Sequence, residues 1–380
     1  MIIGDTETGG QAAAGTGAEV AGTASGSPDA ASGSPGAPVG IDIAPTTAWL
    51  ASNVGLVAPL GFDLVAGGRS NLTYKVTDAT GASVVLRRPP TGHVLPTAHD
   101  MSREHRIVTA LGPTPVPVAK TLGLCLDADV TGAPFYVMEF VNGLVLRDAP
   151  TAERELDDAG RRRASESIAQ VLADLHAVDV DAVGLGDLGR HEGYLARQLK
   201  RWHGQFDQSQ PEGAARVVEV DHVYERLSEA MPSQDGVAIV HGDYRLDNTM
   251  LAGDGSVAAV LDWEICTLGD PLADLGLLMV YWAEPGDTMT ALGLAPTVVP
   301  GFASRSELKG WYAERTGRDV SKLDYYVAFG YWKLACILQG VLFRYLGGAG
   351  GGDRSGTDSF GAQVRVLAEA AAAVAAGLPA

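Results

Sequence analysis

One stretch, His241-Gly242-Asp243-Tyr244-Arg245-Leu246-Asp247-Asn248, constrains this chain more than any other. It follows a short apolar run, Val237-Ala238-Ile239-Val240, that reads as a buried strand. Thr249-Met250-Leu251, a Gly-Asp-Gly turn at 253–255 and Val257-Ala258-Ala259-Val260-Leu261 then spell a hairpin. Its second arm ends on Asp262, so the hairpin brings the chain back to where it began. The pattern predicts that Asp243, Asn248 and Asp262 meet at one edge of a small sheet.

Two carboxylates and an amide at one point suit a particular chemistry. One carboxylate can orient and deprotonate a hydroxyl. The amide oxygen and the other carboxylate are hard ligands of the kind Mg²⁺ takes alongside phosphate oxygens. Arg245 lies close enough in the loop to face a transferring phosphoryl group. Together these are parts for phosphoryl transfer.

His241-Gly242-Asp243, Asn248 and a strand closing on Asp262 resemble the aminoglycoside phosphotransferase and choline kinase-like branch of the protein-kinase-like fold, over about residues 60–346. The resemblance implies that Asp243 is the catalytic base, that Asn248 and Asp262 hold Mg²⁺, and that ATP is the donor. It also puts Arg245 in the position of the kinase catalytic-loop lysine. The implied fold is α+β and bilobal. A small, mainly antiparallel β lobe with one helix spans 43–141, and a larger, mainly helical lobe spans 142–380.

Upstream, Phe62-Asp63-Leu64-Val65, a turn over Ala66-Gly67-Gly68-Arg69-Ser70-Asn71 and the alternating Leu72-Thr73-Tyr74-Lys75-Val76 predict strand, glycine-rich turn, strand. Backbone N–H groups in such a turn can lie over phosphates, and Gly67, Gly68, Ser70 and Asn71 are the candidates. A turn at 78–81 leads to a return strand from Ser83 to Arg87, on which Val85 and Arg87 share a face. The resemblance places a nucleotide-gripping lysine where Arg87 stands. Arginine binds phosphate differently from lysine, and Arg88 stays open as an alternative.

From Pro96 to Leu111 a helix is expected whose apolar stripe of Met101, Ile107, Val108 and Leu111 also carries Glu104. A carboxylate there is costly unless paired, and Arg87 is the obvious cation. The strand from Phe135 to Val141 ends at Asn142-Gly143. By resemblance it is the hinge, with backbone groups from Glu139 to Val141 meeting the purine.

Glu153 to Val178 reads as one long helix burying Ile168, Val171, Leu172 and Leu175, with His176 a hydrogen-bonded core histidine. His241 is read as holding the loop in shape, since no further His or Cys lies nearby to complete a zinc set. Amphipathic helices are expected around 194–206 and 223–227. Asp270 resembles an N-cap before a helix that is apolar nearly all round, and by resemblance Asp274 braces the catalytic loop. Helices at about 305–316, 322–346 and 360–377 are expected to set substrate choice. Trp311, Tyr312, Tyr325, Tyr326, Trp332 and Tyr345 are the candidate walls.

A net charge of −18 argues against a nucleic-acid or anionic-membrane partner. Cys125, Cys266 and Cys336 are dispersed, which points to a reduced cytoplasmic setting. No apolar run reaches the ~18 residues of a membrane span, so no spanning helix is expected. Residues 1–42 are a Gly/Ala/Ser-rich tail without Lys or Arg, unlike a signal or transit peptide, and are expected to be disordered. From 301 to 350, seven basic residues stand against four acidic ones, the reverse of the chain as a whole.

An aminoglycoside is polycationic and wants an acidic cleft, so a neutral or anionic hydroxyl acceptor is expected. The resemblance is closest to kinase-like domains fused to, or encoded beside, acyl-CoA dehydrogenases, which implies a hydroxyacyl-CoA. The expectation is a Mg²⁺- and ATP-dependent O-phosphotransferase for a small-molecule hydroxyl. Arg87 in place of lysine, and Asp262-Trp263-Glu264 where kinases have Gly third, keep a second one open: a nucleotide-binding pseudokinase acting as an interaction module. A metal-dependent phosphoesterase built on His241, Asp243 and Asp262 is short of ligands.

Overall fold

Alternating burial organises the first third of the chain into a sheet with two covered faces. Leu72–Thr77 (β2) and Ser83–Arg88 (β3) pair antiparallel from Leu72↔Arg88 to Thr77↔Ser83. Their turn is held by the Asp78 carboxylate, which accepts from the N–H groups of Thr80 and Ala82. Gly61–Leu64 (β1), Thr121–Cys125 (β4) and Phe135–Glu139 (β5) complete five antiparallel strands in the order β1-β2-β3-β5-β4. This computed structural model describes residues 38–65, 71–91, 99–292, 295–349 and 357–379.

Period two sorts the strand residues. Tyr74, Val76, Val84, Leu86, Phe135 and Val137 bury with Leu50 of Ile43–Asn53 (α1), where Trp49 stands edge-on to Phe135. Val85, Tyr136 and Met138 face the other way, toward Met101 of Met101–Leu111 (α2). That helix starts later than the expected Pro96. Asp100 caps it, accepting from the N–H groups of Ser102 and Arg103, and residues 92–98 lie outside the described ones. Its buried face is the predicted one, with Glu104 included.

Residues 1–37 also lie outside the described residues. The end of the stretch read as disordered packs on the sheet, with Ile41 buried and the Val39 carbonyl accepting from Tyr74 Oη at 2.6 Å. A single turn of helix, Ala128–Thr131 (α3), joins β4 to β5.

The rest is mainly helical. The expected single helix over 153–178 is two, Ala149–Glu155 (α4) and Asp158–His176 (α5), because Asp157 restarts the chain as an N-cap that accepts from Gly160 N–H. Tyr194–Gln208 (α6) and Val218–Glu229 (α7) follow, then the short strands Ala238–Val240 (β6), Thr249–Leu251 (β7), Val257–Val260 (β8) and Thr267–Gly269 (β9). β7 pairs with β8 and β6 with β9, so the strand before the catalytic loop and the hairpin after it belong to separate ladders. Leu272–Tyr281 (α8), Arg305–Thr316 (α9), Leu323–Arg344 (α10) and Thr357–Ala375 (α11) complete the chain.

The helical stretch Leu323–Gly347 is long and apolar enough to cross a membrane by length and composition, although Asp324, Lys333 and Arg344 interrupt its apolar run. Most of its apolar window is buried inside the protein, against α6, α7, α8 and α11. It is the central core helix, apolar because it is surrounded.

Candidate active site

The loop after β6 is held from three sides. Gly242 turns it with φ +86°, a value open to glycine without strain, and a Cβ there would meet Ile265 at 3.0 Å. The N–H groups of His241 and Gly242 donate to the two oxygens of Asp274 on α8, at 2.6 and 2.8 Å. Asp274 is thus the expected brace; burial alone would raise its carboxyl, and its hydrogen bonds hold it below the ordinary range. Lys333 Nζ, on α10, donates to the Gly242 carbonyl at 2.7 Å. His241 Nε2 donates to the Leu261 carbonyl at 2.8 Å, while its Nδ1 accepts the Asp243 N–H at 3.2 Å. That fixes the loop to the hairpin.

Asn248 links Asp243 to the segment that leads into Asp262. Asn248 Nδ2 donates to both the carbonyl and Oδ2 of Asp243 at 2.8 Å. Leu261 N–H donates to the Asn248 carbonyl at 2.8 Å, which closes the open end of the hairpin one residue before Asp262. Asp262 takes φ +64°, a left-handed conformation that a non-glycine residue keeps where its surroundings over-determine it. Asn248 spends its bonds through Nδ2, leaving Oδ1, and Asp262 gives only Oδ1 to Arg87. An amide oxygen and a carboxylate oxygen remain, hard donors that fit Mg²⁺.

Arg245 packs over the Tyr281 ring at 4.5 Å and pairs with Asp247 at 2.9 Å and Asp243 at 3.4 Å. Opposite it, Arg87 Nε meets Glu104 Oε2 at 2.9 Å and Nη2 meets Asp262 Oδ1 at 2.6 Å. Glu104 also accepts from Asn71 Nδ2 and Tyr136 Oη, both at 3.2 Å. Burial would raise the Asp262 carboxyl, yet Arg87 holds it below the ordinary range. The two neighbouring arginines point in different directions. Arg88 points to the opposite face, where it donates to the carbonyls of Gly40 and Thr131.

Asn71 also donates to Glu264 at 3.2 Å, which brings the third residue of Asp262-Trp263-Glu264 into the cleft. Gly67, Gly68 and Ser70 lie outside the described residues. At the hinge, Glu139 is exposed and its N–H donates to the Lys120 carbonyl at 2.8 Å. Val141 packs with Val85, Met138, Met250 and Leu261 in an apolar layer between the sheet and the hairpin.

Beside Asp243 opens a cavity of about 710 Å³, a size typical of small-molecule sites. One wall is a face of α10, with Lys333, Leu334, Ile337, Val341 and Arg344; Ile265, Leu277 and Trp202 stand across from it. Of the six aromatic residues expected as walls, Tyr345 lines this cavity. Tyr312, Tyr325, Tyr326 and Trp332 are instead core, their polar tips bonded to His176, the Leu227 carbonyl, Asp270 and the Val220 carbonyl. Trp311 stacks under Arg162 and lines a different groove. Aromatic residues at helical spacing pack inward when a hydrogen-bond partner waits there. The apolar walls on α10 were missed, although Leu334, Ile337 and Val341 follow helical spacing and Lys333 interrupts an otherwise apolar run.

Comparison with known proteins agrees with this geometry. The chain is 36% identical over 298 residues, 77% of its length, to acyl-CoA dehydrogenase family member 11 of Mus musculus. It spans 26% to 39% of the length of the acyl-CoA dehydrogenase relatives it matches. A crystal structure from Ralstonia eutropha JMP134, described provisionally as an aminoglycoside phosphotransferase, superposes with a TM-score of 0.75 at 33% identity, covering 89% of this chain and 99% of that one. An aminoglycoside phosphotransferase APH(4)-Ia in ternary complex with AMP-PNP and hygromycin B shares the fold, with a TM-score of 0.57 at 16% identity over 87% of this chain and 98% of that one. Residues 62–308, more than half of the chain, match the phosphotransferase enzyme family. With the loop, the hairpin and the sheet arranged as they are, the chain belongs to that family, as a small-molecule phosphotransferase of kinase-like fold.

Proposed function

We propose that this phosphotransferase moves the γ-phosphoryl group of ATP to a small-molecule hydroxyl with the help of Mg²⁺, and that the acceptor is a hydroxyacyl-CoA rather than an aminoglycoside. The observation that carries this reading is Asp243, bonded to Asn248 and lining an apolar cavity flanked by cations. Asp243 takes the hydroxyl proton as the oxygen attacks the γ-phosphorus, and the bond to the β-phosphate oxygen breaks to leave ADP. Arg245 offsets charge on the moving group, and Arg87, oriented by Glu104, grips the nucleotide. Asn248 and Asp262 hold the metal, which when bound neutralises charge on the β- and γ-phosphates. Asn71 and the glycine-rich turn cover the phosphates, and the backbone from Glu139 to Val141 meets the purine. Placement and electrostatics supply most of the acceleration in such a site.

AMP-PNP in the APH(4)-Ia complex supports a nucleoside triphosphate donor, and the names of the acyl-CoA dehydrogenase relatives support an acyl-CoA acceptor. The cavity walls support it too, since Lys333, Arg344 and Arg245 outnumber Asp243 and Glu264 there and disfavour a polycation. The test is ADP release with Mg²⁺ and either a hydroxyacyl-CoA or kanamycin. Turnover with the thioester is expected; kanamycin used far better would end the acceptor assignment. The Arg87–Asp262 contact favours a second reading, a nucleotide-binding pseudokinase. Slow Mg²⁺-dependent ATP hydrolysis that disappears in Asp243→Ala separates the two.

A further inference from the structure

Lys333 is the one charged residue of α10 between Asp324 and Arg344, and it is only 5% exposed. Its Nζ donates to the Gly242 carbonyl at 2.7 Å and stands 5.7 Å from the Trp202 ring centre. Among the described residues no carboxylate forms an ion pair with it; Asp243 and Asp274 act on it only through space, and burial pushes its pKa down. An ammonium has three hydrogens to donate, and a buried charge without a counter-ion is costly. Bracing a carbonyl does not require a charge, since a neutral donor would do it. The peptide that carries this carbonyl is moreover already held through the Asp243 N–H, which donates to His241 Nδ1 at 3.2 Å.

The location supplies the missing partner. Lys333 lines the cavity that contains Asp243, and it bonds to the peptide oxygen immediately before that residue. A ligand whose hydroxyl meets Asp243 therefore carries an atom a few bonds away past this ammonium. Beyond it, Leu334, Ile337 and Val341 continue one apolar stripe of α10. At a rise of about 1.5 Å per residue, the stripe runs roughly 12 Å from Lys333 to Val341.

We propose that Lys333 is the residue that selects the acceptor: its ammonium takes an acyl oxygen set close to the reacting hydroxyl, while Leu334, Ile337 and Val341 receive the alkyl chain. The oxygen belongs to a hydroxy acid's carboxylate or to the carbonyl of its thioester. This assignment rests on the phosphotransferase reading of the same cavity. It makes Lys333 a specificity residue, with Asp243 remaining the base.

Binding by the full chain, followed calorimetrically without nucleotide, tests the assignment with three probes of equal chain length: 3-hydroxydecanoate, 3-hydroxydecanoyl-CoA and decane-1,3-diol. The wild type is expected to bind the acid or the thioester at least tenfold more tightly than the diol, and whichever of the two wins identifies the source of the oxygen. Lys333→Met is expected to erase that preference while leaving the diol unchanged. Lys333→Gln keeps a donor for Gly242 but drops the charge, and carries the comparison if the methionine variant does not fold. Equal loss of all three probes in the variants would mean that Lys333 only braces the loop, and the assignment would fall. A wild type that binds none of them, or all alike, would overturn it as well. Discrimination that persists in a protein unable to consume ATP would sink the phosphotransferase reading and leave Lys333 as the selecting residue.

Discussion

Arg87 Nη2 lies 2.6 Å from Asp262 Oδ1 while Nε of the same guanidinium lies 2.9 Å from Glu104 Oε2. One cation thereby ties β3 to α2 and to the residue that follows the hairpin. Its side chain is almost fully buried, so removing it strands a buried carboxylate at Glu104. Breaking such a pair from one side costs about 3–5 kcal/mol. Arg87→Met is therefore expected to lower unfolding free energy in urea by about 3 kcal/mol and to weaken ATP binding. A loss below about 1 kcal/mol would show that the junction is not what holds the two halves together.

Asp243 and Asp262 have different partners and are expected to carry different loads. Asp243 lines the cavity beside α10 and bonds Asn248, whereas Asp262 is held by Arg87. Asp243→Asn is expected to lower kcat by about 10²–10⁴, the usual share of a general base, with nucleotide affinity retained. Asp262→Asn is expected to raise the dissociation constant for Mg·ATP first. Chelation with EDTA should stop turnover and added Mg²⁺ restore it. Steady-state kinetics with a fluorescent nucleotide displacement assay separates these effects, and equal, small changes in both variants would argue against the division of roles.

The sequence disclosed the site wherever covalent order and short-range rules bring residues together. Asn248 meets Leu261, the residue before Asp262, because a hairpin must return, and Glu104 finds Arg87 because a carboxylate on a buried stripe needs a cation. The break between α4 and α5 was legible only to a reader who gave Asp157 its capping role above the apolar period across it. The cavity walls on α10 follow helical spacing, but which face of that helix meets the cavity depends on how it is rotated against α6 and α8. Aromatic residues looked like binding walls, yet Tyr325 and Trp332 had carbonyls of α7 to reach, and so turned inward. Membrane-like hydropathy in α10 misleads for the same reason, since burial in a protein core and burial in lipid select the same side chains.

The seam between α8 and α10 depends on a glycine. A Cβ on Gly276 would lie 2.5 Å from Tyr326 Cβ and 2.6 Å from its backbone, so the helices would have to part. Overpacking of this kind costs about 1–3 kcal/mol. Gly276→Ala is expected to lower the melting temperature and activity together, because α8 carries Asp274 and Tyr326 Oη bonds Asp270 at 2.7 Å. Gly310 in α9 has open space at its Cβ, and Gly310→Ala should instead add roughly 0.5–1 kcal/mol. Calorimetry of the two variants should show opposite signs; a harmless Gly276→Ala would mean that the seam is looser than it looks.

His176 predicts how stability responds to acid. The geometry has Tyr312 Oη donating to Nδ1 at 2.8 Å and Nε2 donating to Asp274 Oδ2 at 3.4 Å, with the ring fully buried. Burial holds its pKa below the ordinary histidine value, against the pull of Asp274 and Asp270; Arg318 pushes the same way as burial. In the unfolded chain the imidazole takes its proton near pH ~6.5, before the folded protein can. The contribution is therefore intact above about pH 6.5 and is lost as pH falls toward the lower folded value. Urea midpoints from pH 8 to 5 should stay level and then decline below about 6.5, and His176→Gln should flatten that decline. Some slope will remain, since burial also lowers His99 and His105. Parallel curves for the two proteins would place the acid sensitivity elsewhere. A flattened curve would tie it to the histidine behind Asp274, and so to the carboxylate that holds the catalytic loop.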